Sequence, residues 1–412
     1  MAKEKCKCRK KKAVIALSVI VVIALVIAGV NLIMLQSLIQ KGNSYQAVEL
    51  EDKLAPQKDE NGYWVFTTDR DFKIMHLTDI HIGGGFLSKG YDEKALNAVA
   101  LMVTREKPDL VIATGDICFP VPYTAGTFNN YTGAKAFGNL MESLGVYWTV
   151  TLGNHDAEAY SYYDREAVAE IYSSDEFEHC LFQAGPKDVD GYGNHVIHVK
   201  NTEGLITQEL VFMDSHSYTD GDIFGIFWKY DNIHDNQVEW YRQTVQKLNA
   251  YNAALTNNPD SVVKSSAFFH IPLTEQRDAW YELMDNDYKD TENVKLIYGV
   301  AGEDGKIVYP GMGEDGLFEA MLELGSTKAV FCGHDHENNF SVEYKGIRLS
   351  YAMSVDYLAY PGIYKQGIQR GCTVITYSPD GSFDCKNENY YQDKYISLYE
   401  KEPVTMQEVT YN

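Results

Sequence analysis

Five separate stretches of this chain share one local plan, in which a short apolar run ends in Asp, Asn or His. They are "LTDIHIG" with Asp79 and His81, "ATGDIC" with Asp116, "TLGNHDAE" with Asn154, His155 and Asp156, "FFHIP" with His270, and "CGHDHENN" with His334 and His336. A single Gly-Asp is usually a turn or a helix cap, and a single His is often just packed. In αβ sheets, however, the loops after the carboxyl ends of strands converge. Five such loops predict one site with hard oxygens and imidazoles, the ligands of Zn, Mn or Fe.

From Phe72 onward the pattern alternates between strands and helices. The run "FKIMHLTD", a helical "DEKALNAVALMVTREKPD", "LVIATGD", a helical "GAKAFGNLMESLG" and "VYWTVTLGNHD" form a βαβαβ series, which predicts a sheet with short connections. Further strands are predicted at "GNHVIHV", "QELVFMDS", "SSAFFHIP", "KAVFCGHD", "GIRLSYAM" and "CTVITYS", and further helices at "NQVEWYRQTVQKL", "TEQRDAWYELM" and "DGLFEAMLELG". We therefore expect one αβ domain of about 300 residues, a length that a single two-sheet domain tolerates.

The net charge of −22 is unevenly distributed along the 412 residues. Residues 1–12 carry seven Lys or Arg and one Glu, so the rest of the chain carries −28. Such an acidic body argues against a nucleic acid scaffold as partner, because phosphate backbones need a cationic surface. A small phosphorylated substrate stays compatible with this charge, since a metal site can override it locally.

An uncharged run of 23 residues, Ala13 to Leu35, follows the basic tail. As a helix it is about 35 Å long, enough to cross a bilayer with some tilt. The preceding cations favour a cytoplasmic N-terminus and an extracellular catalytic domain in a single-pass membrane protein. The alternative is secretion after cleavage of a signal peptide near "VIAG". Because the apolar run continues to Leu35, we favour a retained signal anchor that contacts the lipid bilayer through residues 13–35.

The sequence thus divides into a basic cytoplasmic tail (1–12), a transmembrane signal anchor (13–35), a juxtamembrane linker (36–70) in which "GYWVFT" is a possible edge strand, a catalytic domain (71–378) and a C-terminal tail (379–412). Two of the seven cysteines, Cys6 and Cys8, lie in the basic tail, and the remaining five cannot all pair, which excludes a disulfide scaffold. Cys118 and Cys332 are predicted to be small buried thiols. The sequence leaves open whether Cys372 and Cys385 form a disulfide bond.

The order D-x-H, G-D, G-N-H-D, a lone His and G-H-x-H resembles the calcineurin-like metallophosphoesterase superfamily over residues 72 to 377. The stretches "FFHIPLTE", "GVAGEDG" and "DGLFEAMLELGSTKAVFCGHDHEN" are similar to its small purple-acid-phosphatase-like branch. Purple enzymes proper place a Tyr three residues after the G-D aspartate, where this chain has Phe119. This departure argues against a Tyr–iron centre, and the identity of the metals stays open among Mn, Fe and Zn.

The resemblance implies an α/β fold, a two-sheet β-sandwich flanked by helices (α-β-β-α) after the N-terminal transmembrane helix. It also implies two divalent or transition metal ions. Asp79, His81, Asp116 and His336 would hold one ion, and Asp116, Asn154, His270 and His334 the other. Two ions about 3.5–4 Å apart clamp phosphoryl oxygens and activate a water for attack on phosphorus. His155 would then donate a proton to the leaving oxygen, and Asp156 would orient its imidazole.

The predicted function is therefore phosphoester hydrolysis on the outer face of a membrane, with phosphomonoesters as the favoured substrates. A phosphodiesterase or nucleotidase could use the same residues in a substrate pocket with different walls. A non-catalytic binding ectodomain is the alternative from another class of function. His76, His195 and His198 lie inside predicted strands and are expected to be structural. His216, in "DSHSYTDGD", follows a strand end, so it either lines the substrate pocket or packs. Protein partners are left open by the sequence.

Overall fold

The computed structural model describes residues 2–222, 225–313, 315–363 and 370–395. In chain order, the strands are β1 (Gln57–Lys58), β2 (Trp64–Thr67), β3 (Phe72–Leu77), β4 (Leu110–Thr114), β5 (Tyr147–Thr151), β6 (His195–Lys200), β7 (Ile206–Phe212), β8 (Ser265–Phe268), β9 (Val294–Tyr298), β10 (Thr327–Cys332), β11 (Ser341–Tyr344), β12 (Ile347–Tyr351), β13 (Gly371–Tyr377) and β14 (Phe383–Asn389). The helices are α1 (Ala2–Gly42), α2 (Lys89–Glu106), α3 (Tyr131–Leu144), α4 (Arg165–Tyr172), α5 (Asp235–Thr256), α6 (Thr274–Asp285) and α7 (Leu317–Leu324), and a 3₁₀ helix spans Asp393–Tyr395. Every predicted strand and helix is present, and α4, β1, β9, β11 and β14 are additions to the prediction.

The strands form two sheets. One has nine strands in the order β1-β2-β6-β7-β8-β10-β12-β11-β9, and the other has five in the order β14-β13-β3-β4-β5. Strands β3, β4 and β5 run parallel, as do β7, β8, β10 and β12. The carboxyl ends of the parallel strands in each sheet therefore meet at one edge, where the predicted site residues follow them.

Three apolar layers separate the sheets and helices. Phe72, Ile112, Phe212 and Phe331 belong to the core between the sheets. A second core lies between the five-stranded sheet and helices α2 and α3, and a third lies between the nine-stranded sheet and helices α5, α6 and α7. The predicted α-β-β-α sandwich is confirmed.

Helix α1 differs from the prediction in how it ends. Its stretch Lys10–Gly42 is long and apolar enough to cross a membrane, but the helix continues past Leu35 and packs on α3. A Cβ on Gly42 would lie 2.7 Å from the carbonyl oxygen of Ala136. Strands β1 and β2 then extend the nine-stranded sheet. Parts of the predicted linker 36–70 therefore belong to the folded domain, namely the end of α1, where the small Gly42 lets two helices approach closely, and strands β1 and β2.

The segment predicted as a C-terminal tail also contributes to the fold. Strand β14 pairs with β13 over its whole length, while residues 396–412 lie outside the described part of the chain. A bridge between Cys372 and Cys385 is absent, and both thiols are free. Cys372 packs in the core under α2, whereas Cys385 packs between the sheets, so the two side chains lie on opposite faces of one sheet. Cys118 and Cys332 are buried thiols, as predicted.

Candidate metal centre and active site

The loops after β3, β4 and β5 and those after β8 and β10 bring the predicted ligands together. Asp79, His81, Asp116, Asn154, His270, His334 and His336 are all buried. The five-stranded sheet contributes the first four and the nine-stranded sheet contributes the three histidines of the later loops. The site thus spans the two sheets at their shared edge, which is the convergence that the sequence predicts.

The backbone of these loops is strained where the side chains turn inward. Asp79, His81, Asp116 and His334 all have positive φ angles, between 49° and 79°, a conformation that costs a non-glycine residue energy and clusters at functional sites. Gly333, which precedes His334, is required for another reason. A Cβ there would lie 1.8 Å from Thr78 Oγ1, so only glycine lets the loops of the two sheets approach this closely.

Asp79, His81, Asp116 and His336 form what we call the first ligand group. One donor atom from each lies within 4.8 Å of the others. His81 Nε2 is 3.4 Å from Asp116 Oδ2, and His336 Nε2 is 3.6 Å from Asp79 Oδ1. These separations exceed a normal hydrogen bond but suit donors that share an ion about 2.0–2.2 Å from each of them.

The first ligand group also leaves polar atoms unsatisfied. Within the described residues, Asp79 Oδ1, His81 Nε2 and Asp116 Oδ2 have no hydrogen-bond partner. Buried polar atoms are nearly always paired, so unpaired ones require an explanation. A metal ion satisfies carboxylate oxygens and an imidazole lone pair together, and these residues therefore fit the metal that the sequence predicts.

Asp356, which the sequence analysis missed, holds two of these ligands. Its Oδ2 lies within hydrogen-bond distance of His336 Nδ1, at 3.2 Å. Its Oδ1 makes a longer ion-pair contact of 3.5 Å with His81 Nδ1. A carboxylate on one ring nitrogen orients a ligating histidine and leaves its other nitrogen for the metal. In the sequence Asp356 follows β12, in "SYAMSVDY", so its place after a strand end is the signal that could have identified it.

Asp116, Asn154, His270 and His334 form the second ligand group, and they contact one another directly. Asn154 Oδ1 lies 3.1 Å from His270 Nε2 and 3.0 Å from His334 Nδ1. His270 Nε2 is also 3.2 Å from Asp116 Oδ2. The opposite nitrogen, His270 Nδ1, donates to the carbonyl oxygen of Thr114 at 2.7 Å, which fixes the ring and directs Nε2 into the site.

Asp116 carries the negative charge that both groups share. Burial alone would raise the pKa of Asp116, but the neighbouring imidazoles of His270 and His155 hold this pKa well below its ordinary value. For His270, burial lowers the pKa, but the Asp116 carboxylate outweighs it and raises the pKa to about 9. The site therefore holds a carboxylate that cationic partners stabilise, the charge that a metal cation would also compensate.

The predicted role of Asp156 as the partner of His155 is wrong. The Asp156 carboxylate accepts the backbone N–H groups of Asp116, Cys118 and Gly153 at 2.8–2.9 Å. It therefore ties the loop after β5 to the loop after β4. His155 is instead oriented by Glu158, whose Oε1 lies 2.7 Å from His155 Nδ1.

Glu158 belongs to a short chain of hydrogen bonds that reaches a predicted ligand. Tyr218 donates its hydroxyl to Glu158 Oε1 at 3.0 Å, and Asn154 Nδ2 donates to the Tyr218 oxygen at 3.1 Å. The arrangement fixes the imidazole of His155 beside the ligand groups, with its ring centroid 5.7 Å from that of His81. Because Nδ1 is directed at Glu158, Nε2 is the nitrogen left for chemistry.

The remaining histidines behave largely as expected. His76 is buried with Nε2 2.8 Å from Thr114 Oγ1, His195 Nε2 is 3.0 Å from Thr149 Oγ1, and His198 pairs with Glu209. His216, for which two roles were open, packs: its ring stacks on His234 with centroids 4.0 Å apart, and its Nε2 is 2.9 Å from Gln237 Oε1. The first three are structural, as predicted.

A cavity of about 530 Å³ opens above the ligand groups. Its floor includes Asp116, His155, His334 and His336, and Phe119 lies beside them. Aromatic side chains form much of the wall, among them Tyr218, Trp228, Tyr230, Tyr309 and Tyr360, and the acidic side chains Glu303, Asp304 and Glu337 complete it. A small molecule can therefore reach both ligand groups and His155 at once.

These features define a metal-dependent phosphoesterase fold, and comparison with known proteins gives the family. The family model for calcineurin-like phosphoesterase matches residues 72–338. The chain belongs to this family, and the resemblance found in the sequence is confirmed. All seven predicted metal ligands, from Asp79 to His336, fall within the matched range.

Curated relatives place the chain near purple acid phosphatases. It is 30% identical to the Arabidopsis thaliana protein named probable inactive purple acid phosphatase 14, over 72% of this chain and 73% of that protein. It is 27% identical to the Arabidopsis protein named probable inactive purple acid phosphatase 29, over 75% and 77%. Phosphatase DCR2 of Saccharomyces cerevisiae is 27% identical over 66% of this chain and 45% of that protein. A dimetal phosphatase from Danio rerio aligns with a TM-score of 0.46 and 12% identity, covering 79% of this chain and 98% of that chain.

Proposed function

We propose that this chain is a phosphoester hydrolase that uses two metal ions, acts on phosphomonoesters and is held by its N-terminal helix on the outer face of a membrane. The observation that carries this proposal is the set of unpaired ligand atoms on Asp79, His81 and Asp116. Asp116 also lines a cavity whose wall includes His155. The metals are drawn from Mn, Fe and Zn, which suit this mixture of carboxylate, amide and imidazole.

The ions, when bound, supply positive charge for the phosphoryl oxygens and an activated water. The protein's own residues do the rest. Asp116 joins the two ligand groups, Asp356 holds His81 and His336, and Glu158 holds His155. His155 Nε2 donates a proton to the leaving oxygen as the bond to phosphorus breaks, and the Glu158 carboxylate stabilises the protonated imidazole before that transfer.

The acidic part of the cavity wall supports a preference among substrates. Glu303, Asp304 and Glu337 lie on the wall, and burial together with Glu303 raises the pKa of Glu337 to about 7. A further phosphate on the substrate would approach these carboxylates at a cost. Monoesters of neutral or cationic alcohols, nucleoside monophosphates included, are therefore preferred over nucleoside di- and triphosphates.

Orientation in the membrane follows from the charge of the tail. Seven Lys or Arg precede Ala13, and such clusters stay on the cytoplasmic side. The acidic catalytic domain then lies outside. Protease added to intact cells should digest the catalytic domain and leave the tail protected, whereas release of a chain that starts near Gly29 would support the cleaved-signal alternative.

The test of the activity is a hydrolysis screen with the full chain in detergent, reconstituted with Mn, Fe or Zn. Phosphomonoesters, phosphodiesters and pyrophosphates are offered at equal concentration, and Asp116→Ala is the matched inactive control. Hydrolysis of monoesters above that control supports the proposal. The plant relatives are named probable inactive, so metal binding without hydrolysis of any ester would support the non-catalytic binding ectodomain instead.

A further inference from the structure

We infer that the catalytic domain lies directly on the lipid bilayer, through an apolar rim formed by Phe86, Leu87, Tyr123, Phe128 and Tyr162. The inference rests on the proposed membrane anchor and goes beyond it, because it assigns bilayer contact to the catalytic domain itself. All five side chains are exposed, and Tyr123 and Tyr162 are the most so, at 81% and 69%.

The first observation concerns the way helix α1 meets the domain. Its residues 10–29 are exposed, but from Val30 onward one face becomes covered at helical spacing. Leu38 is buried, and Tyr45, just after the helix, is buried and donates its hydroxyl to Asn97 Oδ1 at 2.5 Å. The apolar helix therefore enters the domain without a flexible spacer, and the domain must stay at the height at which the helix leaves the membrane.

The second observation is that part of the rim lies beside this point of entry. Asn31 donates its side-chain N–H to the carbonyl oxygen of Gly126 at 3.1 Å. Phe86 and Leu87 pack against Gly126, where an added Cβ would lie 2.6 Å from the Phe86 ring. Two residues after Gly126, the Phe128 ring stacks on that of Tyr162 with centroids 6.4 Å apart. The rim is thus one patch, continuous with the apolar helix.

The length of the apolar part of helix α1 determines where the rim lies relative to the bilayer surface. A hydrocarbon layer about 30 Å thick takes about 20 helical residues, so a helix that enters beside Lys12 and Ala13 leaves it near Leu32. Asn31 and its partner Gly126 therefore lie at the outer boundary of the bilayer. Aromatic side chains are enriched at that boundary because their rings are apolar and their edges polar. A lipid surface is consequently the partner that matches both the composition and the position of the rim.

Bilayer contact would also involve the segments that build the metal centre. Phe86 and Leu87 follow His81 in one loop, and Tyr123 and Phe128 follow Asp116 in another. Between the rim and the ligands, the Phe119 ring packs 4.8 Å from the rings of both His81 and His155. The membrane therefore supports the same backbone segments that position the ligands.

The test uses the full chain in lipid nanodiscs that contain brominated phospholipids, which quench tryptophan fluorescence on contact. Tyr123→Trp and Leu87→Trp probe the rim. Leu255→Trp is the matched control, since Leu255 is also an exposed apolar residue but lies on α5, on the opposite side of the sandwich. Leu25→Trp reports the anchor, and the unmodified chain gives the background of its five native tryptophans.

We expect the added emission at positions 123 and 87 to be lost in brominated lipid, as at position 25, while position 255 keeps its emission. Quenching at position 25 with positions 123 and 87 behaving like 255 would overturn the inference, because the domain would then stand away from the bilayer. If position 25 is not quenched either, the inference fails together with the anchor. Hydrolysis by the full chain in detergent would be unaffected by that result, so the proposed chemistry is judged separately.

Discussion

The two ligand groups differ in whether their polar atoms have hydrogen-bond partners when no ion is bound. In the first, Asp79 and His81 each keep a buried ligand atom without a hydrogen-bond partner among the described residues. In the second, Asn154 Oδ1 lies within hydrogen-bond distance of both His270 and His334. The first group is therefore held open, whereas the second satisfies much of its own polarity.

The reason for the difference is the support behind each group. Asp356 is fully buried and contacts the Nδ1 atoms of His81 and His336, opposite the nitrogens that face Asp116 and Asp79. The second group depends on the loop after β5, which Arg165 holds by donating to the carbonyl oxygens of Leu152 and Gly153 at 2.9 and 2.8 Å. Because an open site loses no internal hydrogen bonds on binding, we expect the first group to bind its ion more tightly.

The largest effect is expected at Asp116, the residue common to both groups. Asp116→Ala should remove both ions and reduce hydrolysis to background, because two metal positions lose their shared carboxylate. Elemental analysis together with a phosphomonoester assay measures this. Asp260→Asn, on an exposed turn, is the control and should retain about two ions. Retention of both ions by Asp116→Ala would contradict the assignment of Asp116 to both ligand groups.

A second test separates proton donation from metal binding. His155→Ala should keep its ions and lose about 10²–10⁴-fold in rate on an alkyl phosphate, whose leaving alkoxide needs a proton. Its loss on a nitrophenyl phosphate should be much smaller, because that leaving group departs as a stable anion. His336→Ala, in the first ligand group, should instead lose metal and depress both reactions together. Equal losses on the two esters for His155→Ala, with metal retained, would contradict proton donation.

The sequence predicted the convergence of these side chains because each of them lies within a few residues of the end of a buried strand. Asp356 also follows a strand, but "SVDYLAY" carries no second ligand type beside it, so its partners His81 and His336 appear only when the two sheets meet. Asp156 was assigned to His155 because it is adjacent in sequence. The sharp turn after β5 sends the Asp156 carboxylate to backbone N–H groups, and Glu158 takes the place beside the imidazole.

The missed elements of the fold lie mostly at its margins. Strand β14 reads "FDCKNEN", a polar edge strand with one covered side, and such strands carry little apolar periodicity. The end of α1 was missed because it packs on α3, with Gly42 close to Ala136, and the two helices are distant in sequence. Where a segment is buried on both sides, as β4 is, its apolar run was sufficient for the prediction.

The third prediction compares two carboxylates that contact histidines. Asp356 lies behind the predicted ligands His81 and His336, and Glu158 lies beside the predicted proton donor His155. Asp356→Asn should weaken metal binding by the first ligand group about 10–100-fold, the usual cost of losing a carboxylate behind a ligating histidine. Glu158→Gln should leave metal affinity unchanged and lower kcat on alkyl phosphates, because it affects only His155. Metal titration and kcat for both variants measure the contrast. Loss of metal affinity in Glu158→Gln would place Glu158 with the ligand groups instead.

The smallest effect is expected at the support of the second group, the buried pair of Arg165 and Asp214. Burial would raise the pKa of Asp214, but Arg165 holds it at about 2, below the ordinary value of about 3.9. The unfolded chain therefore takes up this proton first as pH falls. The stabilisation from the pair is complete above about pH 5, and it is lost progressively as pH falls toward about 2.

Between pH 6 and pH 3, the pair should lose about 1 kcal/mol of unfolding free energy. Asp214→Asn lacks this titration, so its unfolding free energy in urea should fall by that much less over the same interval than that of the unmodified chain. The exposed control Asp260→Asn should behave as the unmodified chain does. Because Arg165 holds the loop that carries Asn154, Asp214→Asn should also release the ion of the second ligand group at lower chelator concentration, while the first group keeps its own. Identical pH dependence in Asp214→Asn and the unmodified chain would show that the pair does not support this half of the site.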